Sequence, residues 1–163
     1  MKIKKRFLAL LFKISDYPVL FRDLLEANAL FNEGMLVDTA KLNYKIKTLN
    51  AYLLYAAFCS LILLPLLFIT HSSFTLIDFH LSIISAVLVT ACVFIGFDIF
   101  RAYARKLMTK RLIQRAWVLH FPHFPYEKYS KILAEIYKEA IKKEIPRNAL
   151  KNYVLEQIIT HSK

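Results

Sequence analysis

His120 and His123 stand as H-x-x-H, a spacing that can turn two imidazoles toward one metal ion. Pro122 lies between them and breaks the helix on which such a pair usually rests. The pair therefore reads as part of an aromatic-proline loop, HFPHFPY over residues 120–126, and neither a metal site nor a cofactor is expected. Asp98 carries more weight, because a carboxylate in the last turn of an apolar helix is costly and by default points to function. Arg101, three residues on, offers it a local ion pair. His71, Asp78 and His80 crowd one short polar stretch where a proton or a cation can bind. Asp98, Asp78 and His80 together make the candidate ion or proton path, although polar residues also simply end a membrane span.

Cys59 and Cys92 fall inside apolar stretches and read as small apolar fillers rather than as a disulfide or a metal pair. Nothing resembles a Walker loop, a nucleophile elbow, a catalytic carboxylate pair or a zincin helix, so no catalytic residue is assigned.

The elements that hold these residues follow from composition. Of 163 residues 57% are apolar, against about 45–50% in an ordinary soluble domain. That excludes a disordered chain. Two glycines and five prolines leave little turn punctuation, so helix is the default. Residues 51–69, AYLLYAAFCSLILLPLLFI, and residues 79–97, FHLSIISAVLVTACVFIGF, each lack Lys, Arg, Asp and Glu. Each approaches the ~20 residues a helix needs to cross ~30 Å of hydrocarbon. A 163-residue chain has too little material to surround two helices that are apolar on every face.

The expected fold is an all-α membrane protein, a two-helix transmembrane hairpin with amphipathic cytoplasmic helices at both ends. Residues 1–47 form the leading helices, 48–70 and 79–100 the spans, 71–78 the turn, and 101–163 a basic helical region. All 23 Lys and Arg lie outside residues 48–100, nine before and fourteen after. By the positive-inside rule both termini are cytoplasmic, and the membrane is read as a bacterial inner membrane.

Ile3, Phe7, Leu10, Leu11 and Ile14 predict a helix lying at headgroup level over residues 1–15. Leu20, Phe21, Leu24, Ala27 and Phe31 form one stripe, closed by Gly34. Asp38 is expected to cap a helix running from about residue 39 into the first span, kinked by Pro65. Tyr129, Ile132, Leu133, Ile136, Ala140 and Ile141, then Leu150, Tyr153, Val154 and Ile158, predict two further amphipathic helices with Pro146 between them, and Glu127–Lys131 and Glu139–Lys143 are expected as i,i+4 pairs on the wet side of the first. These either form a small bundle with the 20–31 stripe or dock on another protein.

Arg101, Arg105, Lys106, Lys110, Arg111 and Arg115 form a cationic run with no acid among them, read as contacts to anionic lipid headgroups rather than to nucleic acid. Ser82, Ala86 and Thr90 recur at four-residue spacing, a helix-packing pattern that Ala56 and Ser60 can match. Another membrane protein or a second copy is the expected partner besides the bilayer. The pattern favours a non-catalytic accessory or scaffolding subunit of a larger envelope complex. The alternatives are the membrane subunit of a two-component enzyme acting on envelope lipids or lipopolysaccharide, such as Kdo removal, and an oligomeric ion or proton pathway.

Overall fold

A computed structural model describes the backbone of residues 2–74 and 79–161 and the side chains of residues 6–66, 68 and 83–161. The chain is mostly helical: α1 (Lys2–Leu11), β1 (Phe12–Ile14), α2 (Phe21–Asn32), β2 (Tyr44–Ile46), α3 (Thr48–Phe74), α4 (Phe79–His120), α5 (Tyr126–Lys142) and α6 (Leu150–Thr160). It divides into two compact units, residues 1–12 with 46–105 and residues 13–45 with 106–163.

In the first unit α3 and α4 are each long and apolar enough to cross a membrane. Only 6% of the apolar stretch of α3 is buried and none of that of α4, whereas the core helix of a soluble protein is mostly buried. Pro65 lies inside α3. α1 packs on α3, and its end is closed by the segment that leads into that helix. The last carbonyls of a helix have no partner within it. Here Lys47 Nζ donates to Ala9 O (3.3 Å), Asn50 Nδ2 to Leu10 O (2.8 Å) and the Lys47 N–H to Leu11 O (2.8 Å).

Two expectations fail at this point, for one reason. The helix predicted over residues 1–15 stops at Leu11, and the helix predicted from residue 39 begins only at Thr48. Between them β1 and β2 pair as a two-stranded sheet. Ser15 N–H donates to Asn43 O and Lys47 N–H to Leu11 O, both at 2.8 Å, which makes the pair antiparallel and sets Lys13 opposite Lys45. Asn43 has φ +53 in the left-handed region, which asparagine tolerates and a continuing helix does not. Asp38 accepts from Ala40 N (2.9 Å) as a turn residue, not as a helix cap.

The second unit is a helical bundle in which α2 packs on α5 and α5 on α6. Leu24, Leu25, Met108, Ile113, Leu133, Val154 and Ile158 are fully buried. Asn28, also fully buried, donates through Nδ2 to Ser130 O at 2.7 Å, which satisfies its amide and pins the register of α2 on α5. The Tyr44 hydroxyl meets Thr109 Oγ1 at 2.9 Å.

α2 and α5 end in the same way. Gly34 (φ +76) donates to Phe31 O and Met35 to Leu30 O; Glu144 (φ +52) donates to Ile141 O and Ile145 to Ala140 O. Both are Schellman closures, one with the glycine that the left-handed position favours and one with a glutamate. α5 therefore stops at Lys142, before Pro146 is reached.

Candidate functional site

The longest helix carries most of the candidate residues. α4 has 42 residues, about 63 Å at 1.5 Å per residue, so the second apolar stretch and the basic run belong to one element. Tyr52 stacks on Phe97 (4.6 Å between centroids, 12° between planes). Tyr55 meets Phe97 edge-on at 5.3 Å and Phe100 at 5.4 Å, and its hydroxyl donates to Val93 O at 2.8 Å. Gly96 makes room for that hydroxyl, because a Cβ there would collide with it. Phe7 of α1 packs edge-on against Phe100 at 6.0 Å.

Beside these contacts an apolar groove of about 300 Å³ opens between α3 and α4, walled by Phe58, Cys59, Ile62, Leu88, Val89 and Cys92 among others. Both cysteines are free thiols. The small residues expected to bring helices together lie elsewhere: Ala86, Thr90, Ala56 and Ser60 are all exposed. Thr90 Oγ1 donates to Ala86 O at 2.8 Å, so its hydroxyl hydrogen is spent within its own helix. The side chain of Ser82 lies outside the described residues, as do Asp78 and the side chains of His71 and His80. Sequence reasoning missed the seam through Tyr55 and Gly96. Its signal was present, since Gly96 is one of only two glycines and a glycine in a span marks close approach.

Asp98 is exposed, and among the described residues its carboxylate joins no ion pair; the expected bond to Arg101 is not formed. An exposed pair gains too little to hold two side chains in one geometry. Arg101, Lys106, Lys110 and Arg115 are exposed, and Arg105 and Arg111 half-buried. Arg101, Lys106, Lys110, Arg111 and Arg115 join no ion pair among the described residues. At 3.6 residues per turn the six basic residues are distributed round the helix rather than along one stripe.

The H-x-x-H motif is split by its surroundings. A ring nitrogen of His120, Nε2, lies 2.8 Å from Val19 O and donates to it, whereas His123 is exposed. Among the described residues no three His, Cys, Asp or Glu side chains gather as a metal site. Trp117 Nε1 donates to Phe124 O at 2.6 Å and fastens the 120–126 loop onto α4. Burial raises the pKa of Tyr126 in the same cluster, with the charge of Glu127 adding to the rise. Comparison of the chain with known protein families, characterised proteins and solved structures finds no match.

Proposed function

We propose that the chain is a two-pass protein of a bacterial inner membrane, folded as a helical hairpin with both ends in the cytoplasm. In this reading it serves as a non-catalytic accessory or scaffolding subunit of a larger membrane complex. The observation that carries the reading is the contrast along α3 and α4. Aromatic contacts and a hydrogen bond join the two helices at Tyr52, Tyr55, Val93 and Phe97, while the groove and the small residues Ala56, Ser60, Ala86 and Thr90 stay uncovered. A helix from another subunit or a second copy suits such a surface, since small residues allow backbones to approach in lipid.

The orientation rests on charge, because all 23 Lys and Arg flank the spans and none lies between them. Anionic headgroups are the ligands proposed for the basic run of α4, at about 1 kcal/mol for each Lys or Arg near the surface. A second reading, an ion or proton pathway, is favoured by Asp98 alone, exposed and outside any ion pair among the described residues. Two spans do not enclose a pore, so this pathway needs several copies.

The test uses the two native thiols. Thiol-directed cross-linking in native membranes, followed by purification in mild detergent, is expected to give an adduct heavier than the monomer that disappears in the Cys59→Ser, Cys92→Ser double variant. A monomer under every condition overturns the scaffold reading. Tags at both termini are expected to resist protease added to spheroplasts and to be cut in inverted vesicles; cleavage from outside overturns the orientation.

A further inference from the structure

Within the unit of residues 13–45 and 106–163, a recess of about 80 Å³ opens among α2, α5 and the start of α6. Arg22, Tyr137, Ile141, Ile145, Arg147 and Leu150 form its wall. Two arginines from distant parts of the chain thus line one small cavity, and no acidic residue lines it among the described residues. Neither arginine joins an ion pair among the described residues. Glu26, whose charge also reaches Tyr137, lies outside the lining and is ion-paired with Lys41.

Tyr137 is 4% exposed. Burial raises its pKa, with Arg22 pulling the other way, so at neutral pH the phenol keeps its proton and acts as a donor. α6 opens at Leu150 with no acidic residue in its first turn and no side-chain cap, so only the Pro146 carbonyl, which accepts from the Ala149 and Leu150 N–H groups, faces the positive end of its dipole. The arginines, the phenol hydrogen and the helix start each favour an anion. The volume equals two to three water molecules at roughly 30 Å³ each, room for one small polyatomic anion but not for a sugar or a nucleobase.

We propose that this recess is a subsite for a single tetrahedral oxyanion of the phosphate type, gripped by Arg22 and Arg147 with the Tyr137 hydroxyl as a third donor. Arginine suits the task because its planar fork of N–H donors matches phosphate oxygens two at a time. The phosphate has two possible sources, free inorganic phosphate and the headgroup of a lipid.

The experiment titrates the 163-residue chain in non-ionic detergent with inorganic phosphate at constant ionic strength and follows thermal unfolding. A ligand that binds the folded state raises the unfolding midpoint. Wild type is expected to show such a rise with phosphate and none with chloride. Arg147 is exposed on the α5–α6 connection, so Arg147→Gln is expected to keep native circular dichroism while weakening phosphate binding about tenfold or more. Arg22→Gln is expected to match it, and Tyr137→Phe to weaken binding several-fold. A wild type indifferent to phosphate, or an Arg147→Gln variant that responds like wild type, overturns the proposal. Repeating the titration in nanodiscs of phosphatidylcholine with and without phosphatidic acid separates the sources. If phosphatidic acid abolishes the phosphate response of wild type, the headgroup fills the subsite; if the response persists, free phosphate does. Either result upholds the subsite.

Discussion

Leu133 of α5 is fully buried, whereas Leu61 of α3 is 74% exposed and Phe68 of the same helix is 90% exposed. The contrast holds across the two units to which they belong. In the α2–α5–α6 unit one set of apolar side chains, Leu24, Leu25, Leu133, Val154 and Ile158 among them, is fully buried in a core, and the buried polar groups are bonded, as Asn28 is to Ser130. In the unit built on α3 and α4 the described side chains of the two apolar stretches point almost entirely outward. Water accommodates the first arrangement and penalises the second by roughly 25 cal/mol for each Å² of apolar surface left exposed. The same chain therefore carries one region suited to water and one suited to hydrocarbon.

The largest effect expected from breaking this contrast is at Leu133. Leu133→Ala should cost about 2–5 kcal/mol in unfolding experiments in detergent, because it leaves a cavity among close-packed side chains. Leu61→Ala, a change of the same chemistry on an exposed position, should leave the unfolding midpoint nearly unchanged. Equal losses at the two sites would show that α3 is buried in a way its exposure does not reflect.

Gly96 sharpens the contrast from the other side, since it lies where the spans do pack. Gly96→Ala drives a methyl group into the Tyr55 hydroxyl and should cost about 1–3 kcal/mol, the usual range for overpacking. Tyr55→Phe removes the obstructing hydroxyl, so the double variant should lose less than the sum of the two single changes. Strict additivity, measured by the same unfolding assay, would remove Gly96 from the seam.

A smaller gain is expected at the end of α5. Glu144 occupies the left-handed position that Gly34 fills after α2. Glu144→Gly should stabilise the unit by about 1 kcal/mol, the cost an L side chain meets in that conformation, which equilibrium unfolding can read.

Burial raises the pKa of Tyr126 and of Tyr137 above the ordinary 10.0. Between the ordinary value and the raised one the folded state holds more protons than the unfolded chain, so stability is intact below pH 10 and falls as pH rises above it. Replacing either tyrosine with phenylalanine should make that alkaline decline shallower in a pH series of unfolding midpoints.

The amphipathic stripes illustrate how far sequence reading reaches. Of the two predicted faces, Tyr129, Leu133, Ile136, Ala140, Leu150, Val154 and Ile158 are buried and Ile132 and Tyr153 half-buried, while Ile141 is exposed. Helical periodicity made them legible, because each stripe is a property of one local segment. Of the i,i+4 pairs expected on the wet side, Glu139–Lys143 forms at 3.6 Å and Glu127–Lys131 does not. Legibility failed over residues 12–14 and 39–46, where three-residue strands are too short to show alternation. Their pairing depends on Asn43 turning the chain and on Ser15 and Lys47 finding partners far away in sequence. The candidate site was legible by composition and not by geometry. The basic run, Asp98 and the small-residue series could all be picked out, but the seam runs through Tyr52, Tyr55 and Phe97 instead of Ala86 and Thr90.

Sequence by itself determined that the chain is mostly helical, that two uncharged stretches are long enough to span lipid, and that every cationic side chain flanks them. Those properties add up residue by residue along the chain, so no contact is needed to read them. Tertiary structure alone decided that the α2 stripe meets α5, that Asn28 lands on Ser130, and that Arg22 and Arg147 share one recess. Such pairings depend on which faces pack together across long sequence separations, and that choice is made by the fit of whole side chains in three dimensions rather than by any local pattern.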